Sequence, residues 1–151
     1  MIWLFYLVLT IVGALLHMLI AKTPLVYTFL LYIFIIEVGV SGIVAFLAHA
    51  FNADKIAKYI GWPAGSPFQY EVACANLSYG ILGILCIWLR ESFWFATAIA
   101  CSVFLLGAGI GHVREIIKNK NFAPGNAGFP LYSDFIKPAA IWILLIIYNL
   151  H

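Results

Sequence analysis

The chain has 151 residues, of which 65% are hydrophobic and 9% charged, with a formal net charge of +2. Soluble domains carry about 25% charged residues, so a water-soluble globular fold is excluded and the solvent for most of this surface is lipid. A net charge this small gives no footprint for a nucleic-acid partner.

A membrane-spanning helix needs about 20 predominantly apolar residues. Residues 2–21 supply the first span, closed by Lys22, Thr23 and Pro24. With no basic region ahead of it and no small-residue cleavage site behind, this run reads as a retained span rather than a signal peptide. Residues 25–51 supply a second span, long enough to tilt. Residues 68–89 supply a third, closed by Arg90 and Glu91, and residues 92–117 a fourth with polar last turns. Residues 135–150 form the shortest candidate, so the fold class is an all-α polytopic bundle of about five spans, or four without the last. It reads as a single integral membrane domain over residues 1–151.

Between the second and third spans, Asn52 stands as an N-cap for "ADKIAKYI", and Gly61 as its C-cap. Ile56, Tyr59 and Ile60 share one face against Lys55 and Lys58, the pattern of a short interfacial helix. The phrase "GWPAGSPFQYE", residues 61–71, follows. Trp62 is a headgroup anchor, and Pro63 and Gly65 stiffen the elbow. Ser66, Pro67 and Gln69 have the spacing of a capping box with proline at the first helical position, which predicts Ser66 as the cap of the third span. The loop 118–134, with "PGNAG" and the apolar Phe122, Phe129 and Leu131, is expected to fold back over the mouth of the bundle.

Basic residues set orientation. Lys55, Lys58, Arg114, Lys118, Lys120 and Lys137 gather on the side of the N-terminus and the two long loops; only Lys22 and Arg90 lie on the other. The N-terminus and loops 52–67 and 118–134 are therefore expected in the cytoplasm, and His151 outside.

With about 1.5 Å of rise per residue, the polar residues fall into two layers. His49, Glu71, His112 and Glu115 lie within one or two turns of the cytoplasmic boundary, joined by Asp134 if the fifth span is real. Glu37 and Asn76 lie roughly 12 Å deeper and can meet if spans two and three pack. His17 belongs to the opposite leaflet and reads as a packing residue. Carboxylates in mid-membrane are costly and face a bundle interior or a cavity, so Glu37 is read as a proton or cation site or as a hydrogen-bonding structural acid.

His49, Glu71, His112 and Glu115 are also the metal-ligand candidates. However, His112 and Glu115 run His-x-x-Glu, whereas di-iron bundles repeat Glu-x-x-His. Cys74, Cys86 and Cys101 have no metal spacing and read as small buried hydrophobes. Glycines Gly39, Gly42, Gly80, Gly83, Gly107 and Gly111 are expected to let the helices approach closely.

The stretch "GWPAGSPFQYEVACANLSYGILGIL", residues 61–85, with "GAGIGHVREI" and "PGNAG", resembles a family of small multi-pass prokaryotic membrane proteins of unknown function. The likeness runs over about residues 46–150 and is most specific in the elbow with Glu71 and Asn76. It implies a prokaryotic inner-membrane location and brings no activity or cofactor.

The residues therefore point first to a cytoplasm-facing polar cavity of binding or transport type, taking a proton, a cation or a small solute. Its ligand-binding set would be Glu37, Glu71, Asn76, His49, His112 and Glu115. A His/carboxylate metalloprotein or redox enzyme and a structural accessory subunit are the alternatives, and the absence of nucleophile and haem motifs leans away from an enzyme. The expected partners are the lipid bilayer and further copies of the chain.

Overall fold

The computed structural model describes residues 2–150. Its helices are α1 (Ile2–Ala21), α2 (Leu25–Phe51), α3 (Ala53–Ile60), α4 (Phe68–Leu85), α5 (Ser92–Asn119), the single turn α6 (Pro124–Ala127) and α7 (Phe129–Leu150). Four segments are long and apolar enough to cross a membrane: Trp3–Ala21, Leu25–Phe51, Ser92–Asn119 and Pro124–Leu150. The expectation that the last span is the weakest is thus reversed. α7 starts at Phe129, six residues earlier than its apolar run, and it carries Pro138 inside the helix. The weakest span is α4, 18 residues or about 27 Å long, because Gln69, Glu71 and Asn76 dilute it.

The long helices alternate in direction. Trp3 stacks on Phe129 at 4.0 Å, and Trp62 lies 6.2 Å from His112, so the start of α1, the elbow, the end of α5 and the start of α7 share one end. At the other end Tyr27, Trp94 and Tyr148 pack together, and the Arg90 guanidinium lies 5.8 Å from the Tyr27 ring and 5.5 Å from the Trp94 ring. The core runs along the axis through Leu30, Phe34, Val38, Tyr79, Trp94, Cys101, Ile141 and Leu145. The face of α1 bearing Leu4, Leu15, Leu19 and Ile20 is exposed, as lipid-facing residues are. His17 packs edge-on against Tyr32, a packing role as expected.

α2 and α4 approach at the expected glycines. A Cβ on Gly83 would stand 2.5 Å from Gly39 N, and one on Gly80 would stand 2.9 Å from Ile43 N. Gly107 and Gly111 meet nothing within 4 Å, so the small-residue pattern of α5 is not a packing seam; Gly109, between them, faces Asp134 and Phe135 instead. Cys86 and Cys101 are buried as expected, but Cys74 is exposed.

The middle of α2, Ile33–Val40, is wound as a π-helix. π-turns are rare and concentrate at functional sites. Here the Ser41 N–H reaches five residues back to Ile36 O, which leaves Glu37 O open to side-chain donors. Nothing in the hydrophobic pattern announces this change of pitch.

The elbow folds for reasons partly different from those expected. Gly61 caps α3 at φ 83, with Gly61 N–H on Lys58 O and Trp62 N–H on Ala57 O, which is the Schellman arrangement. Asp54 Oδ1 accepts from Gly65 N at 3.1 Å, and Asn121 Nδ2 donates to Ile60 O at 2.9 Å. α4 then begins at Phe68. The capping box does not form: no side chain caps α4, Ser66 is exposed, and the Gln69 carboxamide turns away. Asn52 likewise makes no side-chain cap on α3. A true cap is worth about 1 kcal/mol. Ser66→Ala should therefore stay within about 0.5 kcal/mol of the wild type in a detergent unfolding titration, as uninvolved surface positions do.

Candidate functional site

Glu37 does not meet Asn76. The Asn76 amide folds back on its own helix, with Nδ2 donating to Val72 O at 2.8 Å and Oδ1 accepting the Tyr79 hydroxyl. The partner of Glu37 is Lys137 of α7, whose Nζ lies 3.1 Å from Glu37 Oε2. The same ammonium donates to Glu37 O at 3.1 Å and to Ser41 Oγ at 3.4 Å, so its three N–H groups find three acceptors. The two side chains are only 12% and 17% exposed, which makes this a buried ion pair. Counting Lys137 with the charges of the loop side, at the edge of a span starting at residue 135, hid it. Because α7 starts at Phe129, Lys137 sits more than two turns into the helix, about 12 Å deep, the depth already given to Glu37.

One turn back along α7 stands Asp134, on the same helical face as Lys137. Asp134 Oδ2 is buried, has no hydrogen-bond partner among the described residues, and lies 3.7 Å from His112 Nε2. The other ring nitrogen, His112 Nδ1, is 2.8 Å from Asn126 Oδ1. Asn126 is fully buried in α6, and its Nδ2 donates to His112 O at 3.2 Å and Asn121 O at 2.9 Å. The loop thus folds back as a plug, as the sequence predicts, and Asn126 is its tip. Asn126 was missed because "PGNAG" reads as turn chemistry; its signal was an amide in a loop too apolar to lie free.

His49 meets Gln69, with Nδ1 2.6 Å from Oε1, linking the end of α2 to the start of α4. This contact, rather than a Ser66 cap, helps set the rotation of α4. Glu71 is exposed and pairs with neither His49 nor His112; the carboxylate that meets His112 is Asp134. The reason is angular: Gln69, Ala73 and Asn76 define the buried face of α4, and Glu71 lies off it. Glu115 is half-buried, accepts from Asn119 Nδ2 at 2.9 Å, and lines a cleft of about 410 Å³ with Trp62, Pro63, Ser66, Phe68, Gln69 and Val72. His49, Glu71, His112 and Glu115 do not converge, and no group of three or more His, Cys, Asp or Glu able to hold a metal is found among the described residues.

The site is therefore a file of polar groups inside the bundle. It runs from the cleft under Trp62 through His112 and Asp134 to Lys137 and Glu37, with protonatable groups on three helices. Fold and file together define a polytopic helical membrane protein with ionisable residues buried between its spans. The chain belongs to the Family of unknown function (DUF6790), whose profile matches residues 1–151. No curated protein and no solved structure matches it.

Proposed function

We propose that the protein binds and passes protons through this buried file, between the cleft at Trp62 and the mid-membrane pair Glu37–Lys137. The observation that carries the reading is the Glu37–Lys137 ion pair on the π-helical turn of α2, in file with Asp134 and His112. Ionisable side chains inside a membrane bundle pair with one another and mark proton relays and ion pathways. A proton is favoured over a metal cation because Lys137 already holds the carboxylate that such an ion would need, and because no ligand cluster surrounds it among the described residues. The basic residues of the elbow end, Lys55, Lys58, Arg114, Lys118 and Lys120, support a cytoplasmic placement of the cleft and a plasma-membrane orientation with the N-terminus inside.

The test is a pH jump across liposomes containing the purified protein and an internal pH dye. The wild type should dissipate the gradient faster than empty liposomes. Replacing Glu37 with Gln and Lys137 with Met together removes both charges without orphaning either, and should abolish the excess flux while the protein still assembles. Wild-type flux equal to that of empty vesicles, or full flux in the double variant, would overturn the reading and favour a structural role for these polar groups.

A further inference from the structure

The hydrogen bonds around His112 determine its tautomer. Asn126 Nδ2 faces two backbone carbonyls, His112 O and Asn121 O, at 3.2 and 2.9 Å. Carbonyl oxygens only accept, so the nitrogen of the amide must point at them; the flipped amide would set oxygen against oxygen twice in a fully buried position. Asn126 Oδ1 is therefore the atom turned to the imidazole, at 2.8 Å from Nδ1. An amide oxygen also only accepts, so His112 Nδ1 carries a hydrogen in every protonation state of the pair.

This leaves Nε2 to face Asp134 Oδ2 at 3.7 Å, with the two side chains 10% and 9% exposed. That carboxylate oxygen has no hydrogen-bond partner among the described residues. With a neutral ring and an ionised carboxylate, two lone pairs would oppose each other in a buried space, each unsatisfied, at a cost of about 1–3 kcal/mol per group. A single proton removes both deficits, whether it rests on nitrogen as an imidazolium–carboxylate pair or on oxygen as a carboxylic acid donating to Nε2. A small side-chain adjustment brings 3.7 Å into hydrogen-bond range.

The neighbouring charges do not remove this need. Lys137 lies one turn along α7, but its three N–H groups are directed to Glu37 Oε2, Glu37 O and Ser41 Oγ. Tyr79 of α4 and Cys101 of α5 also lie within the field of Asp134, and the Tyr79 hydroxyl is bonded to Asn76. Trp62 covers the ring from the cleft side.

We propose that His112 Nε2 and Asp134 Oδ2 form a one-proton binding site, and that Asn126 is the positioning residue that locks the imidazole as its Nδ1–H form to create it. The site's use as the outer loading position of the file rests on the proton-passing reading above; its existence does not.

The experiment is nitrogen NMR of the full chain in lipid, labelled with 15N-histidine and read at neutral pH. His112 is assigned as the signal lost in His112→Gln. In the wild type the ring should show a protonated Nδ1, with Nε2 either protonated or accepting a strong hydrogen bond. In Asp134→Asn the new amide donates to Nε2, so the ring should become wholly neutral, with an unprotonated Nε2 that accepts a weaker hydrogen bond than in the wild type. In Asn126→Leu the lock is removed, and the ratio of Nδ1–H to Nε2–H neutral rings should fall at least tenfold. A neutral Nε2–H ring in the wild type overturns the proposal whatever the variants do, so a variant that fails to fold does not shelter it. An unchanged tautomer ratio in folded Asn126→Leu also overturns it. The expected spectra without proton flux in liposomes would leave the site standing and defeat the function proposed for it.

Discussion

Replacing Lys137 with methionine should destabilise the bundle by roughly 3–5 kcal/mol, the cost of removing one partner from a buried ion pair. The Glu37 carboxylate has Lys137 as its only side-chain partner among the described residues, and its side chain is 12% exposed. Methionine keeps much of the length and apolar stem of lysine, so the loss reports charge rather than volume. The reverse change, Glu37→Leu, should cost less, because the stranded ammonium keeps Glu37 O and Ser41 Oγ as acceptors. Removing both ends, as Glu37→Leu with Lys137→Met, should recover most of the loss, since an apolar pair of similar volume is often no worse than a buried salt bridge. Unfolding of the four proteins in mixed detergent closes a double-mutant cycle. A coupling energy near zero would mean that the two side chains are solvated in the membrane and that the pair is not the buried element described here.

That cycle bears on what a sequence of this kind discloses. Composition together with uninterrupted apolar runs of about 20 residues dictated a helical membrane bundle, because the other way to satisfy a backbone in lipid, a closed barrel, needs strands of about 10 residues with alternating polarity. Gly61 was legible as a helix stop, since only a left-handed residue closes the Schellman turn there. The depth ruler put His112 and Asp134 at one level, and there they meet, because helical rise is fixed. It failed on rotation. Whether Glu71 or Asp134 turns toward His112 depends on how α4 and α7 are rolled, and the rolls depend on contacts such as His49–Gln69 that no spacing rule encodes. It failed again at Lys137: three polar residues, Tyr132, Ser133 and Asp134, hid the first turns of α7, so with a span starting at residue 135 a lysine eight residues into the helix read as a charge at the span's edge. The signal available was a lysine followed by an uninterrupted apolar run, in a chain that also holds an unpaired mid-span glutamate. The π-helical turn left no signal in the largely apolar run Ile33–Val40.

Gly83→Val should be the most damaging change that touches no ionisable group. The backbones of α2 and α4 are closest here: a Cβ on Gly83 would lie 2.5 Å from Gly39 N, 2.6 Å from Phe34 O and 2.8 Å from Gly39 Cα. All of those atoms are backbone, so no side-chain rotation relieves the clash and the helices must separate. Overpacking of this kind costs typically 1–3 kcal/mol, and the valine should fall at or above the upper end, about 3 kcal/mol, since the obstruction is main chain on both sides. The damage should not stay at the contact. Phe34 and Gly39 both belong to the π-wound segment Ile33–Val40 that carries Glu37, so displacing them moves the carboxylate and the open Glu37 carbonyl away from Lys137. A helix-to-helix distance measured between spin labels on the exposed Leu47 and Cys74 should lengthen, and gradient dissipation in liposomes should fall in the same protein. Gly83→Ala should show both effects in smaller degree, because its single methyl group meets the same atoms. A valine variant that unfolds like the wild type and keeps the wild-type label distance would show that α2 and α4 do not pack through Gly39 and Gly83, and with that contact the placement of Glu37 opposite Lys137 would fail.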